Sequence, residues 1–596
     1  MSYTAPIRDM EFVLTELADL AGIAGLPGYE QATPDLVSAV LEEAGKLAAE
    51  VLAPLNQIGD RDGSHAVDGE VRTPAGWKEA YRKFVEGGWN GLPLTPDYGG
   101  QGLPWLVATA VNEMWHAANM AFSLCPMLTQ AAVEAIVTHG SAEQKALYLP
   151  PLISGDWTGT MNLTEPQAGS DLSAVRTKAV PQGDHYLISG QKIFITYGDH
   201  DLTDNIVHMV LARLPDAPAG VKGISLFIVP KHTVTKDGKL HERNDVRCVS
   251  LEHKLGINAS PTAVLAFGDS GAATGYLVGE KNRGLEYMFT MMNLARLGVG
   301  VEGLGIAERA YQQARAYAKE RVQGRAPNGP ADERTTIIHH PDVRRMLMTM
   351  KAQIEAMRAL AYVAAAAFDR SVHEPDEDER RRQHDLVDLL TPVVKGWCTE
   401  LAVEIASLGV QVHGGMGYIE ETGASQHLRD ARITTIYEGT TGIQANDLVG
   451  RKVIRNGGVA ARELIDTMKD DTGELARVSN RAVNDVRNAL VDGIEVFSEA
   501  TDWLLASNER DPRLPAAASV PYLRLLGTVA GGWQMARAAL AAHRKLEGEA
   551  GDVEFYKAKL VTARFYAEQI MPQASALLQV ITRGSGATLE LADDQF

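Results

Sequence analysis

Tyr186-Leu-Ile-Ser189, Lys192-Ile-Phe-Ile-Thr196, Asn205-Ile-Val-His-Met-Val-Leu211, Ile224-Ser-Leu-Phe-Ile-Val229 and Thr262-Ala-Val-Leu-Ala-Phe267 follow one another along a single stretch of chain. The runs are short, rich in β-branched residues and separated by Gly, Pro and Asp, with no helical period between them. A parallel sheet would need crossover helices between its strands. The stretch from Trp157 to about Gly279 is therefore expected to form a small antiparallel barrel.

The pattern changes on both sides. Upstream, Pro34–Leu47 repeats apolar residues at three- and four-residue intervals, and Trp105–Trp115 and Gln130–Tyr148 behave alike. A turn-dense loop, Pro93 to Pro104, precedes them. Downstream the helical period runs from Gly284 to about Arg370 and again from Leu386 to Leu408. The charged stretch Glu374 to Gln383 between them reads as a solvated connection. Beyond Gly450 come further helices, Arg481–Ala506, Tyr522–Leu546 and Val553–Ile581. The expected fold class is mainly α with a central antiparallel β-barrel domain and an extra C-terminal helical domain. The expected divisions are an N-terminal extension (1–34), a helical domain (35–160), the barrel (161–280), a second helical domain (281–450) and a helical tail (451–596).

Composition narrows the function. The chain has 596 residues, 57 basic against 76 acidic, for a net charge of −19. Such a chain is a poor holder of nucleic acid or anionic membrane by bulk charge. No apolar run approaches the roughly 18 residues of a membrane span, and the first ten residues lack the order of a secretory signal. Cys125, Cys248 and Cys398 are widely spaced and form no CxxC pair, which fits a reducing cytoplasm and argues against a cysteine metal site. Gly298-Val-Gly-Val-Glu-Gly303 fits G-x-G-x-x-G, but a helical pattern surrounds it instead of a βαβ unit, so close helix packing is expected. His339-His340 reads as the start of a helix at Pro341 and not as a metal site. Met346-Leu-Met-Thr-Met350 reads as core filling.

Two segments resist such readings. Met161-Asn-Leu-Thr-Glu-Pro-Gln-Ala-Gly-Ser-Asp171 crowds donors around Pro and Gly, a loop suited to a polar heteroaromatic ring or a phosphate, or simply a turn. Ile433-Thr-Thr-Ile-Tyr-Glu-Gly-Thr-Thr-Gly-Ile-Gln-Ala-Asn-Asp447 sets Glu438 between an aromatic residue and Gly439, just before a helix. That carboxylate is either a first-turn charge complementing the helix dipole or a base raised in pKa by an apolar pocket.

Taken with Tyr98-Gly-Gly-Gln-Gly102, Gly190-Gln-Lys-Ile-Phe-Ile-Thr196, Glu320-Arg-Val-Gln323 and Gln411-Val-His-Gly-Gly-Met-Gly417, these segments resemble the acyl-CoA dehydrogenase family over about residues 35–450. Ile7–Leu14 and the helical tail look like its extended bacterial branch, which includes the 3-methylmercaptopropionyl-CoA dehydrogenases. The resemblance implies FAD as cofactor, an acyl-CoA thioester as substrate and oxidation to the 2-enoyl-CoA. Glu438 would take the α-proton and flavin N5 the β-hydride, while the Glu438 N–H and a ribityl hydroxyl hold the thioester carbonyl. It places Met161, Leu163, Thr164, Gly169 and Ser170 along the flavin, Ser170 also near the acyl-CoA, and Phe194 and Thr196 against the ring as its wall. The family usually has Trp where Phe194 stands. Arg321 and Gln323 would meet the diphosphate side of a neighbouring subunit's FAD, and Gln411, Gly414 and Gly415 its adenine side. Thr440 would contact FAD after the catalytic loop. Asn293, Arg296 and Gly439 would face the substrate.

Departures from the pattern are Gly324-Arg325 where Phe-Gly is common, the polar insert running to His339, Gly442 in place of Gln, and a longer insertion from Lys231 to Arg247. A two-chain cofactor site implies a homodimer, and electron-transfer flavoprotein is the implied acceptor. The rival readings are an acyl-CoA oxidase using oxygen and a DNA-associated flavoprotein of the alkylation-response type. The second calls for a basic tail, which residues 451–596 do not provide. Chain length of the acyl group is open: a 3-methylthiopropionyl thioester and a straight-chain one are near-isosteric.

Overall fold

The computed structural model describes residues 3–67, 69–327, 330, 334–548 and 551–596. Part of the polar insert before His339 lies outside the described residues. The N-terminal part contains α1 (Ile7–Glu16), α2 (Leu20–Ala24), α3 (Pro34–Leu47), α4 (Ala53–Asp62), the hairpin β1 (His65–Val67) and β2 (Glu70–Arg72), α5 (Trp77–Glu86), α6 (Trp105–His139) and α7 (Ala142–Ser154). The strand region follows as β3 (Trp157–Asn162), β4 (Lys178–Gln182), β5 (His185–Thr196), β6 (Asn205–Arg213), β7 (Ile224–Pro230), β8 (His232–Val234), β9 (Leu240–Arg243), β10 (Val246–Leu251), β11 (Thr262–Phe267) and β12 (Ala273–Val278). Next come α8 (Gly284–Glu320), α9 (Pro341–His373), α10 (Glu377–His413), α11 (Ala424–Thr434) and α12 (Thr441–Asn446). The tail is α13 (Val459–Leu475), α14 (Arg481–Arg510), α15 (Arg513–Ala517), α16 (Ser519–Glu547), α17 (Val553–Gln569) and α18 (Gln573–Gln579).

The strands fall where alternation and β-branching put them and most neighbours pair antiparallel as expected, but two pairs are parallel. The main sheet runs β10-β11-β5-β12-β7-β6-β3, and β4 pairs with β5 along its length but with β6 only at Lys178↔Arg213. Both β3 and β4 lie parallel to β6. The alternation that marks a strand says which side chains face the core, not which edges pair. The chain returns from β3 to β6 through β4 and β5, so a crossover is present, made of strands instead of a helix. The Lys231–Arg247 insertion contributes the separate β8–β9 hairpin.

The helical expectations also shift. Trp105–Trp115 and the first part of Gln130–Tyr148 are one helix, α6, kinked at Asn119 (φ −161°, ψ 88°). Its apolar middle is long enough to cross a membrane by length and composition, contrary to the expectation that no such run exists. In the fold 83% of that window is buried between helices. α7 then starts at a capping box, in which the Gln144 N–H donates to the Ser141 hydroxyl and the Ser141 N–H to the Gln144 side chain. The stretch read as a solvated connection mostly belongs to α10. Asp376 caps it by accepting from the Glu379 N–H at 2.8 Å, and Glu377, Asp378 and Glu379 complement the dipole of the first turn. Val553–Ile581 is broken at Ile570–Pro572 into α17 and α18.

α6, α8, α9 and α10 pack against one another as the central helical layer. A Cβ on Gly300 would stand 2.8 Å from the Val394 carbonyl oxygen, and one on Gly303 3.0 Å from that of Cys398. The G-x-G-x-x-G stretch thus serves close packing of α8 on α10, as expected. α9 begins at Pro341, and Met346 and Met350 are buried. The tail docks through α16 onto α9 and α10. α1 is tied to α17 by Arg8–Asp552 and Asp9–Lys559 ion pairs and by a Phe12–Phe555 edge contact at 5.8 Å.

Candidate active site

Glu438 lies in the turn between α11 and α12. Its backbone is left-handed, at φ 54°, as is that of Gly439 at φ 89°. Glycine adopts this conformation freely, whereas a residue with a side chain is held in it only by its surroundings. Here the surroundings are explicit. The Lys395 ammonium donates to the Gly439 carbonyl at 2.6 Å, and the Gln444 amide donates to the Glu438 carbonyl at 3.0 Å. The Tyr437 hydroxyl donates to the Glu302 carboxylate, and the Thr441 N–H to the Thr435 carbonyl at 3.0 Å. The Thr440 hydroxyl caps α12 by accepting from the Ile443 N–H. Among the described residues the Glu438 N–H meets no acceptor and its carboxylate no donor.

Burial pushes the Glu438 carboxyl up to about 7, against the pull of Arg296 and then Lys395. Burial likewise raises Glu302 to about 8 and lowers Lys395 to about 8. Arg296 on α8 is buried, 3.7 Å from the Asp447 carboxylate, and Nε meets no acceptor. Asn293, one turn earlier on the same helix, is exposed. The structure therefore brings Glu438, Gly439, Thr440 and Arg296 to one place, with Asn293 at its edge. Elsewhere on α8, Leu294 and Leu297 join Trp105, Thr109, Met127 and Val301 around a narrow cavity of about 20 Å³ against α6.

A second group gathers where β3 meets β5. Met161 is the penultimate residue of β3, and Leu163 and Thr164 follow Asn162 in a loop whose carbonyls accept from Lys192 Nζ at 3.0 Å and the Ile193 N–H at 2.9 Å. Glu165 anchors this loop. It accepts from Lys192 Nζ at 2.8 Å, the Arg176 and Thr177 N–H groups and the Thr177 hydroxyl. Burial alone would raise its carboxyl, but the Lys192 ammonium and these donors hold it down at about 2. Gly169 and Ser170 beyond it are exposed, and a Cβ on Gly169 would touch nothing. Phe194 stands at φ 60° with 59% of its surface exposed. The β5–β11 register shifts there, from Ala263↔Ile195 to Leu265↔Lys192, so Phe194 occupies a bulge that aims its ring outward. Thr196, two residues on, is half-buried.

A third group lies at the far ends of α8 and α10, brought together by the Tyr317–His413 ring stack at 4.5 Å. Arg321, Gln323, Gln411, Gly414 and Gly415 are all exposed there. The Gln323 carbonyl accepts from His340, and Gly414 ends α10 at φ 60°. Among the described residues no hydrogen bond joins this group to the first two.

The order of the domains matches a known family. Residues 37–156, 160–270 and 282–453 match the N-terminal, middle and C-terminal domains of acyl-CoA dehydrogenases, and residues 462–592 match the acetyl-CoA dehydrogenase C-terminal-like domain. The 3-methylmercaptopropionyl-CoA dehydrogenase of Ruegeria pomeroyi is 51% identical over 97% of both chains. The chain belongs to the acyl-CoA dehydrogenase family. The broad-specificity linear acyl-CoA dehydrogenase FadE5 of Mycobacterium tuberculosis is 34% identical to this acyl-CoA dehydrogenase over the full length of both chains. In fold, it resembles an acyl-CoA dehydrogenase from Bacillus anthracis solved in complex with FAD (TM-score 0.73, 21% identical, covering 96% of this chain and 91% of that one).

Lys395, Glu302, the contact of Tyr437 with Glu302 and the Glu165–Lys192 pair did not emerge from the sequence. A signal existed for two of them: Lys395 is the one charge in Leu389–Cys398, and Glu302 the one in Leu297–Ile306. An isolated charge on an apolar helix face marks either a buried partner or a functional group.

Proposed function

We propose that this chain oxidises a short acyl-CoA thioester, 3-methylthiopropionyl-CoA or an acyl chain of similar size, at its α,β-bond, with Glu438 as the base. The observation that carries this reading is the strained, pinned turn that leaves the Glu438 carboxyl without a donor and its N–H without an acceptor. A carboxyl poised near 7 can take an α-proton at neutral pH. The free N–H beside it suits a thioester carbonyl as that oxygen gains charge. Arg296 sets a fixed positive charge in the same place.

The donor set fits FAD. A loop of exposed backbone at Gly169–Ser170, a half-buried hydroxyl on Thr196 and the outward ring of Phe194 offer an edge, a donor and an apolar face to a flat ring. Met161, Leu163, Thr164 and Thr440 complete that cradle. Bound FAD supplies the acceptor for the β-hydride. The separate group of Arg321, Gln323, Gln411, Gly414 and Gly415 suits the FAD of a second copy, hence a homodimer. Electron-transfer flavoprotein as acceptor and a cytoplasmic location belong to the same reading, the latter in keeping with three unbridged cysteines.

The relative that is a 3-methylmercaptopropionyl-CoA dehydrogenase supports a short acyl group. In a panel of acyl-CoA esters, kcat/KM is expected to peak at 3-methylthiopropionyl-CoA. Pentanoyl-CoA, which has CH₂ for S, should follow within the roughly 10–200-fold that a hydrophobic pocket achieves by about 1–3 kcal/mol. An optimum at long chains would overturn the substrate. Rapid turnover with oxygen alone would favour the oxidase.

Phe194→Gly tests the cradle separately. It removes the roughly 1–2 kcal/mol cost of a left-handed residue with a side chain and loses little burial. The melting temperature of the FAD-free protein should hold or rise, while FAD should be lost more readily on gel filtration. Unchanged FAD retention would remove Phe194 from the ring's wall.

A further inference from the structure

Lys395 is fully buried in the middle of α10, and an ammonium in such a place must be accounted for. Its one hydrogen bond among the described residues goes to the carbonyl of Gly439, directly after the base. It faces carboxylates on two elements, Glu438 in the turn and Glu302 on α8, with Glu400 one turn along α10 also acting on it. Glu302 is fully buried as well, with one oxygen on the Tyr437 hydroxyl and the other without a partner. Arg296 supplies the remaining positive charge near Glu438, itself attracted by Asp447 and repelled by Arg451. Asp430 acts on Tyr437 from α11.

A buried cation could serve structure alone, but two features argue for more. The residues on both sides of the base are fastened to this cluster, Tyr437 through Glu302 and Gly439 through Lys395, and the base between them is in the strained conformation. A single cation also stands where the ionised base would otherwise face Glu302 unshielded.

We propose that Lys395 is a positioning residue for the reaction: its hydrogen bond to Gly439 holds Glu438 in its left-handed turn, and its charge sets the pH range in which the base works. The inference rests on Glu438 being the base. Lys395 need not touch substrate; it acts through the turn and through the field at the carboxylate. The two roles separate by substitution. Lys395→Gln keeps a donor and loses the charge, whereas Lys395→Met loses both at similar size. Neither leaves a forced buried charge, because Glu438 and Glu302 can stay protonated.

The experiment is the pH profile of kcat/KM, which reports ionisations of the free enzyme, together with kcat and KM at the high-pH plateau, for FAD-loaded wild type and both variants. Removing a nearby cation disfavours the carboxylate, so in both variants the acid limb should move up by about one pH unit. At the plateau, kcat should fall about tenfold or more in Lys395→Met and less than about threefold in Lys395→Gln. KM should stay within about threefold in each, because the residue does not bind substrate. Thermal melting followed as a function of pH gives a readout independent of turnover, and its inflection from Glu438 should move in the same direction. An acid limb that stays in place in both variants, or a raised KM with kcat intact, would overturn the proposal. Should Lys395→Met fail to accumulate, the Lys395→Gln profile decides. A failure of Glu438 as base would appear elsewhere, as turnover surviving in Glu438→Gln.

Discussion

Glu438→Gln is expected to lose turnover almost entirely while keeping FAD and binding acyl-CoA. Glutamine preserves size and hydrogen-bonding capacity but cannot accept the α-proton at neutral pH. Loss of a general base commonly costs on the order of 10²–10⁴-fold, and a weakly acidic carbon acid should lie at or beyond the upper end. The competing view, that Glu438 merely complements the dipole of α12, predicts a stability loss of about 0.3–1 kcal/mol and normal turnover. Stability separates the two again. The folded Glu438 carboxyl titrates near 7, above its usual 4.5. The neutral form therefore favours the fold below about 4.5, and that contribution is lost as pH rises through about 7. The Gln variant should consequently melt higher than wild type at pH 8 and equally near pH 4.5, whereas a helix-start charge predicts the reverse at pH 8. Anaerobic mixing with 3-methylthiopropionyl-CoA, followed at the flavin absorbance, gives the kinetic arm. A Gln variant that bleaches at a rate comparable to wild type ends the assignment.

The strands were legible because alternation is a local property: Asn205–Leu211, Ile224–Val229 and Thr262–Phe267 fall within β6, β7 and β11. The parallel pairs were not, because strand direction depends on which edges meet far apart in sequence, as with β3 beside β6. The helix starting at Glu377 was obscured by its own charges. Its first turn is acidic and its second carries Arg380, Arg381 and Arg382, a charged run that a solvated loop would also show, and only the Asp376 cap distinguishes it. At the site, Glu438 was legible from its neighbours Tyr437 and Gly439, but its left-handed backbone and the lysine that pins it were not. Lys395 lies on another helix, and no spacing rule connects residues that only tertiary packing brings together. Phe194 shows the same limit: read as part of a regular strand, it owes its outward ring to a bulge that depends on β11.

Arg358→Met should produce the largest loss of stability of any single change considered. Arg358 is fully buried on α9, with Nε 3.0 Å and a terminal nitrogen 2.6 Å from Glu113 Oε1 on α6. The same nitrogen reaches Glu308 on α8 at 2.8 Å, and the Tyr362 hydroxyl donates to Glu113 at 2.6 Å. The network continues through Gln312, which donates both to Glu308 and to the Thr4 carbonyl. One guanidinium thus joins three helices of the central layer, and the N-terminal segment hangs on the same cluster. Methionine fills much of the space but leaves two carboxylates facing one another without a cation. Breaking a buried pair from one side costs about 3–5 kcal/mol, and a shared cation should place the loss at the upper end. The cost is electrostatic, so it should shrink as the pH falls from 8 towards 5 and the stranded carboxyls take up protons. It should also be partly recovered in Glu113→Gln/Arg358→Met, where the cation and one of its two carboxylates are replaced by neutral groups. Urea unfolding of the FAD-loaded enzyme at both pH values measures each arm. A single variant within about 1 kcal/mol of wild type at pH 8 would mean that the cluster is not what holds α6, α8 and α9 together. A double variant no more stable than the single one would assign the loss to packing around the guanidinium stem instead of to its charge.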